Sequence, residues 1–569
     1  MSSVPPFLIF LAGALAVPLL RRVPTVRAAW LLLIPVAGAL NLWGLPEGYQ
    51  LQYEFLGYTL TPVRTVDRLS LLFGYLFHLA AFIGIVYSLH LGKGDRPSVQ
   101  YASAVVYAGS GLGAVFAGDF ITLFVFWELL GVSSVFLIWA RRTPRAIAAG
   151  MRYLIVHVGS GVVLLAGAMV HAHGTGSLDF GQMELQGLAA WLVFLAFGVK
   201  AAFPLLHTWL VDAYPEGTPT GTVFLSTFTT KTAVYALARG FPGEEILIYI
   251  GAAMACFPIF YAVIENDLRR TLSYSMINQI GFMVCGIGVG STLAINGVVA
   301  QVFNHVIFKQ LLFMSMGAVM FVTGKTRASD LGGLWRSMPW TTAFCIVGAA
   351  SISAVPLFNG FVSKSMIMSS LLEGHHYWVW PFMLLASAGV VEHAGIKIPY
   401  FAFFARDSGI RTREAPLNML LAMGIGAAVC LGIGIWPDLL YGMLPYPVDY
   451  EPYTFTHVLT QIQLLCFAVG AVAAFHLWKL YPAEIPSVNL DVDWVYRRGA
   501  VRVTRWTGGA VAAVDGAVRR TVLNTVDRAV RGAFRSHGPR GALARTWPAG
   551  SMVLWVSILL AAFLFLQFL

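Results

Sequence analysis

The chain has 569 residues, of which 58% are hydrophobic and 11% are charged, with a formal net charge of +10 and a mean hydropathy of +0.73. Soluble domains carry roughly 25% charged residues, so this composition excludes a soluble globular protein and predicts a polytopic membrane protein. Five cysteines (Cys256, Cys285, Cys345, Cys430 and Cys466) are scattered singly through apolar runs. Without CxxC or Cys/His spacing they argue against disulfides, iron–sulfur clusters and zinc, so we expect no cofactor and no metal.

Long apolar runs separated by short polar loops predict about sixteen membrane spans. The predicted spans lie near residues 4–20, 27–44, 68–91, 102–118, 119–140, 147–171, 187–208, 220–240, 245–264, 272–290, 293–322, 341–372, 379–404, 417–437, 458–479 and 549–569. The runs at 293–322 and 341–372 are too long for straight single spans. We therefore expect each of them to be tilted, bent or broken.

Basic residues set the predicted orientation of these spans. Loops after odd-numbered spans carry clusters such as Arg141, Arg142 and Arg145, whereas loops after even-numbered spans carry mainly acidic residues. The Lys/Arg bias places the first set of loops in the cytoplasm. Both termini are then expected on the outer, periplasmic side of a prokaryotic inner membrane.

Two lysines, Lys200 and Lys231, lie inside the apolar runs between residues 195 and 239. Burying an ammonium in a bilayer costs roughly 3 kcal/mol or more, so such a residue usually has a partner and a function. Pro204 follows Lys200 closely, and a proline tends to break a helix. Carbonyls freed by a break must be satisfied by protein or water, which predicts a hydrated cavity beside Lys200. A structural lysine that locks two helices together is the alternative.

The lysines also indicate an internal repeat. Lys200 and Lys231 are 31 residues apart in the seventh and eighth spans, and Lys364 and Lys397 are 33 residues apart in the twelfth and thirteenth. A helix-breaking proline lies near the first lysine of each pair. The offset of five spans is odd, so the second copy is inverted in the membrane. Inverted repeats with broken helices are typical of transporters.

The predicted fold is an all-α polytopic membrane protein with two inverted five-helix repeats. In chain order, its parts are an N-terminal three-helix segment (1–101), a first five-helix repeat (102–240), a second, inverted repeat (241–405), two further transmembrane helices (406–486), a cytoplasmic-side amphipathic Arg-rich helix (487–547) and a C-terminal transmembrane helix (548–569).

The Arg-rich segment has a composition of its own. Residues 487–547 carry eleven Arg and four Asp, which is +7 of the chain's +10. Apolar residues recur there at the spacing of an amphipathic helix, at Val511, Val514, Val518, Val522, Val526, Val530 and Phe534. We expect this helix to lie either on anionic lipid headgroups or as a strap across neighbouring helices or subunits. Nucleic acid is excluded as a partner, because the arginines surround a membrane-tethered helix with few aromatic residues.

Titratable residues within the spans are the candidates for chemistry. Glu128 is the best counter-charge for Lys200, and separating such a pair lets the lysine lose its proton, so the pair predicts a switch. Asp119, at the start of the same span, is expected at an interface. His305 and Lys309 are spaced i, i+4 and share a helix face, which suits a proton relay, with packing as the alternative role for the histidine.

Lys364 and Lys397 extend this row, with Glu392 and His393 nearby. Glu392 can instead pair with Lys397 locally, which would leave both residues structural. Weaker candidates are His157, Arg152 and His207, the last of which is expected near an interface.

Six segments resemble the antiporter-like subunits shared by Mrp-type cation/proton antiporters and respiratory complex I. They are FWELLGVSSVFLI around Glu128, GVKAAFPLLHTWLVDAYPEGTPTG around Lys200, TTKTAVYAL around Lys231, ENDLRRTLSYSMINQIGF at 265–282, NHVIFKQLLFMSMGAV around His305 and Lys309, and VPLFNGFVSK ending at Lys364. Together they cover roughly residues 65–435, and they occur in the same order as in the family. Their sequences are most similar to those of Mrp D subunits.

The resemblance implies a fourteen-helix core with a hydrated charged axis across the membrane plane. By resemblance, the ion-pair switch would be Glu128 and Lys200, the connecting relay Lys231, His305 and Lys309, and the terminal proton-exchange residue Lys364. Family members work in multi-subunit assemblies, so other subunits are expected as partners. The Arg-rich segment with the last span is similar instead to the lateral helix of the largest complex I antiporter-like subunit.

The main hypothesis is a proton-translocating subunit of an Mrp-like monovalent cation (Na+)/proton antiporter, which is an ion transporter and not an enzyme. The alternative is a proton-pumping subunit of a redox-driven complex, such as a membrane-bound hydrogenase or a complex I relative. A structural strap with unused charges and coupling to an inorganic-carbon uptake protein are further alternatives. Proton carriage is favoured over sodium binding, because a dehydrated cation prefers oxygen ligands and this row is rich in lysine.

Overall fold

The structure is a computed structural model that describes residues 4–46, 48–486, 489–546 and 548–569. Residues 487, 488 and 547 of the predicted Arg-rich segment, and residues 1–3 and 47 of the predicted N-terminal segment, lie outside the described residues. The chain divides into two compact units, of which the first ends at Asn489 and the second begins at Leu490.

The first unit is almost entirely helical. In chain order its helices are α1 (Pro6–Leu19), α2 (Pro24–Trp43), α3 (Arg68–Ser88), α4 (Pro97–Phe116), α5 (Phe120–Trp139), α6 (Pro144–Thr175), α7 (Gly187–Ala201), α8 (Thr208–Ala213), α9 (Gly221–Leu225), α10 (Thr229–Gly240), α11 (Ile246–Ile264), α12 (Leu268–Val289), α13 (Thr292–Thr323), α14 (Pro339–Ile352), α15 (Asn359–Glu373), α16 (Trp380–Val390), α17 (Lys397–Pro399), α18 (Leu417–Ile435), α19 (Asp438–Tyr441) and α20 (Phe455–Leu477). Two π-helical stretches, Val391–Ile396 and Tyr400–Phe404, flank α17.

Apolar length accounts for this architecture. Eleven helices among the described residues are long and apolar enough to cross a membrane, and α7 and α14 are shorter apolar helices. Each of the sixteen apolar runs identified in the sequence contains helix, with bounds that differ from the predicted ones by a few residues. The predicted fold class, a polytopic helical membrane protein, is confirmed. The number of sixteen spans stays a prediction.

Two of the apolar runs are interrupted. The run expected at 341–372 is broken between α14, which ends at Ile352, and α15, which begins at Asn359. The run at 187–208 stops at Ala201 and is followed by the short helices α8 and α9. The long run at 293–322 forms one helix of 32 residues, α13.

Both breaks have the same backbone conformation. Ala202 and Leu205 have φ of 65° and 70° after α7, and Ala354 and Leu357 have φ of 56° and 74° after α14. A proline lies between the two residues in both cases. Non-glycine residues in the left-handed region cost about 1–3 kcal/mol each and persist where the surroundings hold them, often at functional sites. The repeated strain marks the two breaks as equivalent positions of a duplicated unit.

The helices that precede α7 and α14, namely α6 and α13, also resemble each other. α6 and α13 each have 32 residues, and each begins after a hydroxyl residue whose side chain accepts a hydrogen bond from the first turn, Thr143 and Ser291. Each ends at a left-handed glycine, Gly176 with φ 73° and Gly324 with φ 70°. Glycine is the residue that adopts this conformation without strain, so the same signals begin and end both helices.

A short antiparallel hairpin, β1 (Leu51–Phe55) and β2 (Tyr58–Val63), connects α2 and α3. The all-α expectation missed it, because a two-stranded hairpin is short beside the apolar runs that surround it. It bears on Asp119, which was expected at an interface. Asp119 is fully buried within the protein, where its carboxylate caps α5 and accepts hydrogen bonds from the Thr61 and Thr122 amides, each at 2.7 Å; its position relative to a membrane interface stays a prediction.

The second unit contains a π-helical stretch, Val495–Ala500, followed by α21 (Val501–His537) and α22 (Ala549–Gln567). The predicted amphipathic helix is therefore present, with 37 residues in α21. Its predicted apolar stripe, from Val511 to Phe534, is exposed along its length. α22 is among the eleven helices apolar enough to cross a membrane.

Candidate functional site

Among the side chains of the first unit that the structure describes, five lysines are buried, on helices α7, α10, α13, α15 and α17: Lys200, Lys231, Lys309, Lys364 and Lys397. All five donate a hydrogen bond to a main-chain carbonyl. The helix breaks explain part of this arrangement, because a break leaves carbonyls without their usual amide partners. The site is thus a row of amines, each held by the protein backbone.

Lys200 lies in the last turn of α7, immediately before the first break. Its Nζ donates to the carbonyl of Trp127 on α5 and lies 4.6 Å from the centroid of the Trp127 ring. Glu128, the next residue of α5, interacts electrostatically with Lys200. Its Oε1 atom is buried and makes no hydrogen bond within the described chain. The expected pair is therefore coupled through charge, while the ammonium is held by the neighbouring carbonyl.

The middle of the row lies where α9 and α10 contact α13 and α12. Lys231 donates to the carbonyl of Ser226 at 2.6 Å, in the connection between α9 and α10. Lys309 on α13 donates to the carbonyl of Leu272 on α12 at 3.1 Å. The charge of Lys231 acts on Lys309 across this junction.

His305 lies one helical turn before Lys309, and both side chains are fully buried. The charges of Lys231, Lys309 and Lys364 all act on the His305 ring. Neither ring nitrogen has a hydrogen-bond partner among the described residues. A buried imidazole without a partner normally requires an explanation, such as an ordered water or a proton-transfer role. A role in packing alone, the alternative for His305, does not explain why its two ring nitrogens lack partners.

Lys364 joins the two halves of the second broken helix. It lies on α15, and its Nζ donates at 3.2 Å to the carbonyl of Ile352, the last residue of α14. The same amine lies 5.2 Å from the centroid of the Phe282 ring. The break therefore provides both the room and the acceptor for this lysine.

Lys397 differs from the other four lysines because it has a carboxylate partner. Its Nζ lies 2.7 Å from Oε1 of Glu484 and donates to the carbonyl of Val263 at 2.6 Å. Glu392, the alternative local partner, accepts a hydrogen bond from the Tyr481 hydroxyl at 2.7 Å and also experiences the charge of Lys397. The segment after α20 thus supplies a partner for Lys397, which is Glu484, and a partner for Glu392, which is Tyr481.

Of the remaining candidates, one interacts with a lysine of the row and two have other partners. His157 on α6 is buried and experiences the charge of Lys200. His207, expected near an interface, is buried, and its ring packs on Phe257 with centroids 4.7 Å apart. Arg152 forms an ion pair with Asp212 at 2.8 Å, which gives it a structural partner.

A cluster of hydroxyl groups was missed from the sequence. The Tyr153 ring packs on the His157 ring with centroids 4.0 Å apart, and the Tyr153 hydroxyl lies 2.7 Å from that of Ser134. The Tyr107 hydroxyl lies 2.6 Å from that of Thr229, two residues before Lys231. Buried tyrosines inside apolar runs were the available signal. The cluster therefore contacts His157, which experiences the charge of Lys200, and Thr229, which precedes Lys231 on α10.

A second missed feature is a chain of amides and hydroxyls beside Lys364. Gln301 on α13 donates to Gln279 at 3.0 Å and accepts from Ser363 at 2.6 Å. Asn304 donates to the same Ser363 hydroxyl at 3.0 Å. These residues lie within apolar runs that the sequence assigned to spans, and their polarity alone could have identified them.

Comparison with known proteins agrees with this geometry. Residues 117–388 match the family described as NADH:quinone oxidoreductase/Mrp antiporter, transmembrane. The N subunit of the NADH-quinone oxidoreductase of Desulforudis audaxviator is 31% identical over 63% of this chain and 79% of its own length. The D subunit of the Na+/H+ antiporter of Alkalihalophilus pseudofirmus is 29% identical over 64% and 79%, respectively. Hydrogenase-4 component B of Escherichia coli is 28% identical over 63% of this chain, which spans 61% of that protein.

Solved structures share the fold. A chain of the membrane-bound sulfane sulfur reductase, an archaeal respiratory membrane complex, superposes with a TM-score of 0.70 at 21% identity, over 98% of this chain and 99% of its own. A chain of the Mrp complex from Dietzia sp. DQ12-45-1b superposes with a TM-score of 0.69 at 20% identity, over 77% and 95%. The duplicated broken helices, the row of buried lysines and these matches lead to one conclusion: the chain belongs to the NADH:quinone oxidoreductase/Mrp antiporter family of membrane subunits.

Proposed function

We propose that this chain is the proton-translocating subunit of a multi-subunit Mrp-like Na+/proton antiporter in a prokaryotic inner membrane. The observation that carries the proposal is the presence, within the apolar helices, of two electrostatically connected groups of ionisable residues: Glu128 with Lys200, and Lys231 with Lys309 and His305. Intramembrane ionisable residues are costly, so a row of them is retained for a pathway and not for stability.

The hydrogen bonds of the row suit proton transfer. Four of the five lysines donate only to main-chain carbonyls or a thioether and have no carboxylate partner within 4 Å in the described chain. A neutral amine still has N–H groups to donate to the same carbonyl. Loss of a proton therefore leaves the hydrogen bond of each amine intact, and at Lys231, Lys309 and Lys364 it leaves no adjacent carboxylate without a counter-charge, which would otherwise be costly.

Glu128 acts as the switch in this proposal. When its carboxylate moves towards Lys200, the ammonium is favoured, and when it moves away, Lys200 gives its proton to the next base in the row. Lys231, His305 and Lys309 carry the proton across the junction between repeats. Lys364, at the second break, exchanges it with water on the far side.

The proposal also includes the cation that is exchanged for protons and the multi-subunit complex in which this chain works. Relatives named as Na+/H+ antiporter subunits support Na+ as the exchanged cation, and the matched structures are of multi-subunit complexes. We assign proton carriage to this chain and expect the other subunits to contribute to sodium transport. The clusters of basic residues support an orientation in which the loops that carry them face the cytoplasm.

A redox-driven pump is the second candidate, because the relatives include hydrogenase-4 component B and an NADH-quinone oxidoreductase subunit. In that case the electron-transfer chemistry would lie in other subunits, and this chain would still carry protons. Purification of the assembled complex distinguishes the two: co-purifying iron–sulfur subunits favour the redox pump.

The test expresses the whole neighbouring gene cluster and measures sodium-induced recovery of a proton gradient in inverted vesicles. Lys200→Ala and Lys364→Ala are each expected to abolish recovery in a complex that still assembles. Lys325→Ala, at an exposed lysine outside the row, is the matched control and is expected to leave recovery unchanged. Full recovery in both row variants would contradict the proposal. A wild-type complex that assembles and does not respond to sodium would favour the redox pump.

A further inference from the structure

The segment that follows α20, residues 478–486, contacts the end of the second repeat through two polar side chains. Glu484 forms the ion pair with Lys397 at 2.7 Å, and Tyr481 donates to Glu392 at 2.7 Å. The Lys397 side chain is 0% exposed and the Glu484 side chain 8% exposed. A buried ion pair adds little stability because both charges lose their water, so its presence needs another reason.

Not all carboxylate oxygens of Glu484 and Glu392 accept a hydrogen bond. Oε2 of Glu484 and Oε2 of Glu392 are buried and make no hydrogen bond in the described chain. Native proteins satisfy nearly all buried polar atoms, so free carboxylate oxygens indicate a place for water or a proton. The second repeat therefore has a polar cluster of its own, separate from the Glu128 site.

The backbone is irregular at the same place. Glu392 and His393 lie on the π-helical stretch Val391–Ile396, and Lys397 begins the short α17 before a second π stretch, Tyr400–Phe404. π-helical turns are rare and occur frequently at functional sites. They turn the side chains of this helix out of the usual α register.

The cluster is connected inwards to the row of lysines. His393 is fully buried, and its ring experiences the charges of Lys309, Lys364 and Lys397. A histidine in this position can take a proton from one lysine and give it to another. His393 therefore interacts through charge with both the ion pair and the row.

The cluster is also connected outwards. Glu484 lines a cavity of about 560 Å³ together with Ser329, His476 and the exposed residues Arg406 and Asp407. Such a cavity is large enough for many waters. Burial raises the pKa of the Glu484 carboxyl, although Lys397 beside it acts in the opposite direction. A carboxyl with a raised pKa takes up a proton from water more readily than an ordinary glutamate.

We propose that the Lys397–Glu484 pair is a second proton gate, which connects the row of buried lysines to the water-accessible cavity at the end of the second repeat. Glu484 takes a proton from water in the cavity and becomes neutral, which releases Lys397 from its counter-charge. Lys397 then passes its proton to His393 and regains one from Glu484, so the pair is restored with one proton moved inwards. This gate rests on the proposed function as a proton carrier.

The experiment measures proton translocation by the assembled complex for Glu484→Gln, Glu484→Asp and the control Asp407→Asn. Asp407 lines the same cavity but pairs at 2.7 Å with the exposed Arg411, so its loss is expected to change nothing. Glu484→Gln keeps the shape of the side chain but cannot take up a proton, and we expect a loss of roughly tenfold or more. Lys200→Ala is measured in parallel.

A pH profile separates a gate from a structural latch. The groups that face Glu484 are Lys397, Glu392, Glu265 and Tyr481. Glu484→Asp keeps the charge, so a proton gate predicts retained transport with a shifted pH profile, whereas a latch predicts an unshifted one. If Glu484→Gln does not assemble, the Glu484→Asp profile decides in the same way.

Wild-type rates in an assembled Glu484→Gln complex, with transport lost in Lys200→Ala, would overturn the gate and leave the proposed function standing. Wild-type rates in Lys200→Ala would overturn both.

Discussion

The carboxylate of Glu128 lies against the Cα atom of Gly161 on the neighbouring helix α6, where a Cβ atom would overlap Oε1 of the glutamate. The position of the carboxylate thus depends on the absence of a side chain at residue 161. Oε1 makes no hydrogen bond in the described chain, so its position depends on this packing contact and on the charge of Lys200. The glycine is a positioning residue for the proposed switch.

Gly161→Ala is expected to move the Glu128 carboxylate and to lower proton translocation by roughly ten- to hundredfold, because small displacements of a reacting group are costly. The matched control is Gly159→Ala on the same helix, where an added Cβ meets nothing within 4 Å. The measurement is gradient formation in vesicles with equal amounts of assembled complex. Equal rates in the two variants would show that the switch does not depend on this contact.

The hydroxyl cluster of Tyr107 and Tyr153 gives a second prediction. Tyr107→Phe removes the contact with the Thr229 hydroxyl and the acceptor of the Thr229 amide, at 2.6 and 3.0 Å. Tyr101→Phe, on the same helix, removes a buried hydrogen bond of 2.8 Å to the Ser88 carbonyl. Both variants are expected to lose about 1 kcal/mol of stability.

Only Tyr107→Phe is expected to slow proton translocation, because only the Tyr107 hydroxyl contacts α10, the helix that carries Lys231. Thermal unfolding of the purified complex measures the first effect, and proton translocation rates measure the second. A similar slowing in Tyr101→Phe would mean that lost stability, and not a lost hydroxyl, limits transport.

Most of the helical architecture could be predicted from hydropathy, since an apolar run of sufficient length forms a helix in a membrane whatever surrounds it. The break after Lys200 could be predicted because Pro204 removes a backbone donor. The row of buried lysines could also be predicted from the sequence, because an ionisable residue within an apolar run is conspicuous.

The partners of these charges could not be predicted. Lys397 binds Glu484, which lies far along the chain in a polar loop, and hydropathy carries no information about such tertiary contacts. The carbonyl of Trp127 as the acceptor for Lys200 was equally hidden, because backbone acceptors have no sequence signature. Gly161 was one of 57 glycines, and only the packing of α5 on α6 distinguishes it.

An ion pair at the end of α10 gives a prediction on pH. Arg239 makes two hydrogen bonds to the carboxylate of Asp67, at 2.6 and 2.9 Å. Burial raises the pKa of Asp67, but hydrogen bonds and charge from Arg239, with the Ser70 amide, outweigh it and bring the pKa to about 2 from a usual 3.8. Because the folded pKa is lowered, the stabilisation is present above about pH 4 and is lost as the pH falls towards 2.

Asp67→Asn removes this contribution. We expect the wild-type protein to have a higher Tm than the variant at neutral pH, and the difference to shrink as the pH falls from about 4 to about 2. Thermal unfolding in detergent at several pH values provides the measurement. The Asp67 side chain is 40% exposed, so the effect is expected to be modest. A difference in Tm that is constant over this range would contradict the assignment.

Arg269 on α12 holds the connection between α8 and α9. Its guanidinium donates to the carbonyls of Pro215 and Gly217 at 3.0 and 3.1 Å, and to the hydroxyl of Thr222. This connection leads to Ser226, the acceptor for Lys231, so α12 helps to position that acceptor. A guanidinium is planar and carries several fixed donors, whereas a lysine supplies one point charge that cannot reach all of these acceptors.

Arg269→Lys is therefore expected to destabilise the protein by about 2–4 kcal/mol, since buried acceptors are left unsatisfied. It is also expected to slow proton translocation, because the Lys231 acceptor becomes mobile. Arg270→Lys is the matched control: Arg270 is partly exposed and donates to the Val211 carbonyl at 3.2 Å, away from Ser226. Unfolding by heat and transport by the assembled complex are measured for both. Equal stability of the two variants would contradict the idea that Arg269 fastens this connection, and a destabilised Arg269→Lys complex with wild-type transport would show that the Lys231 acceptor does not depend on it.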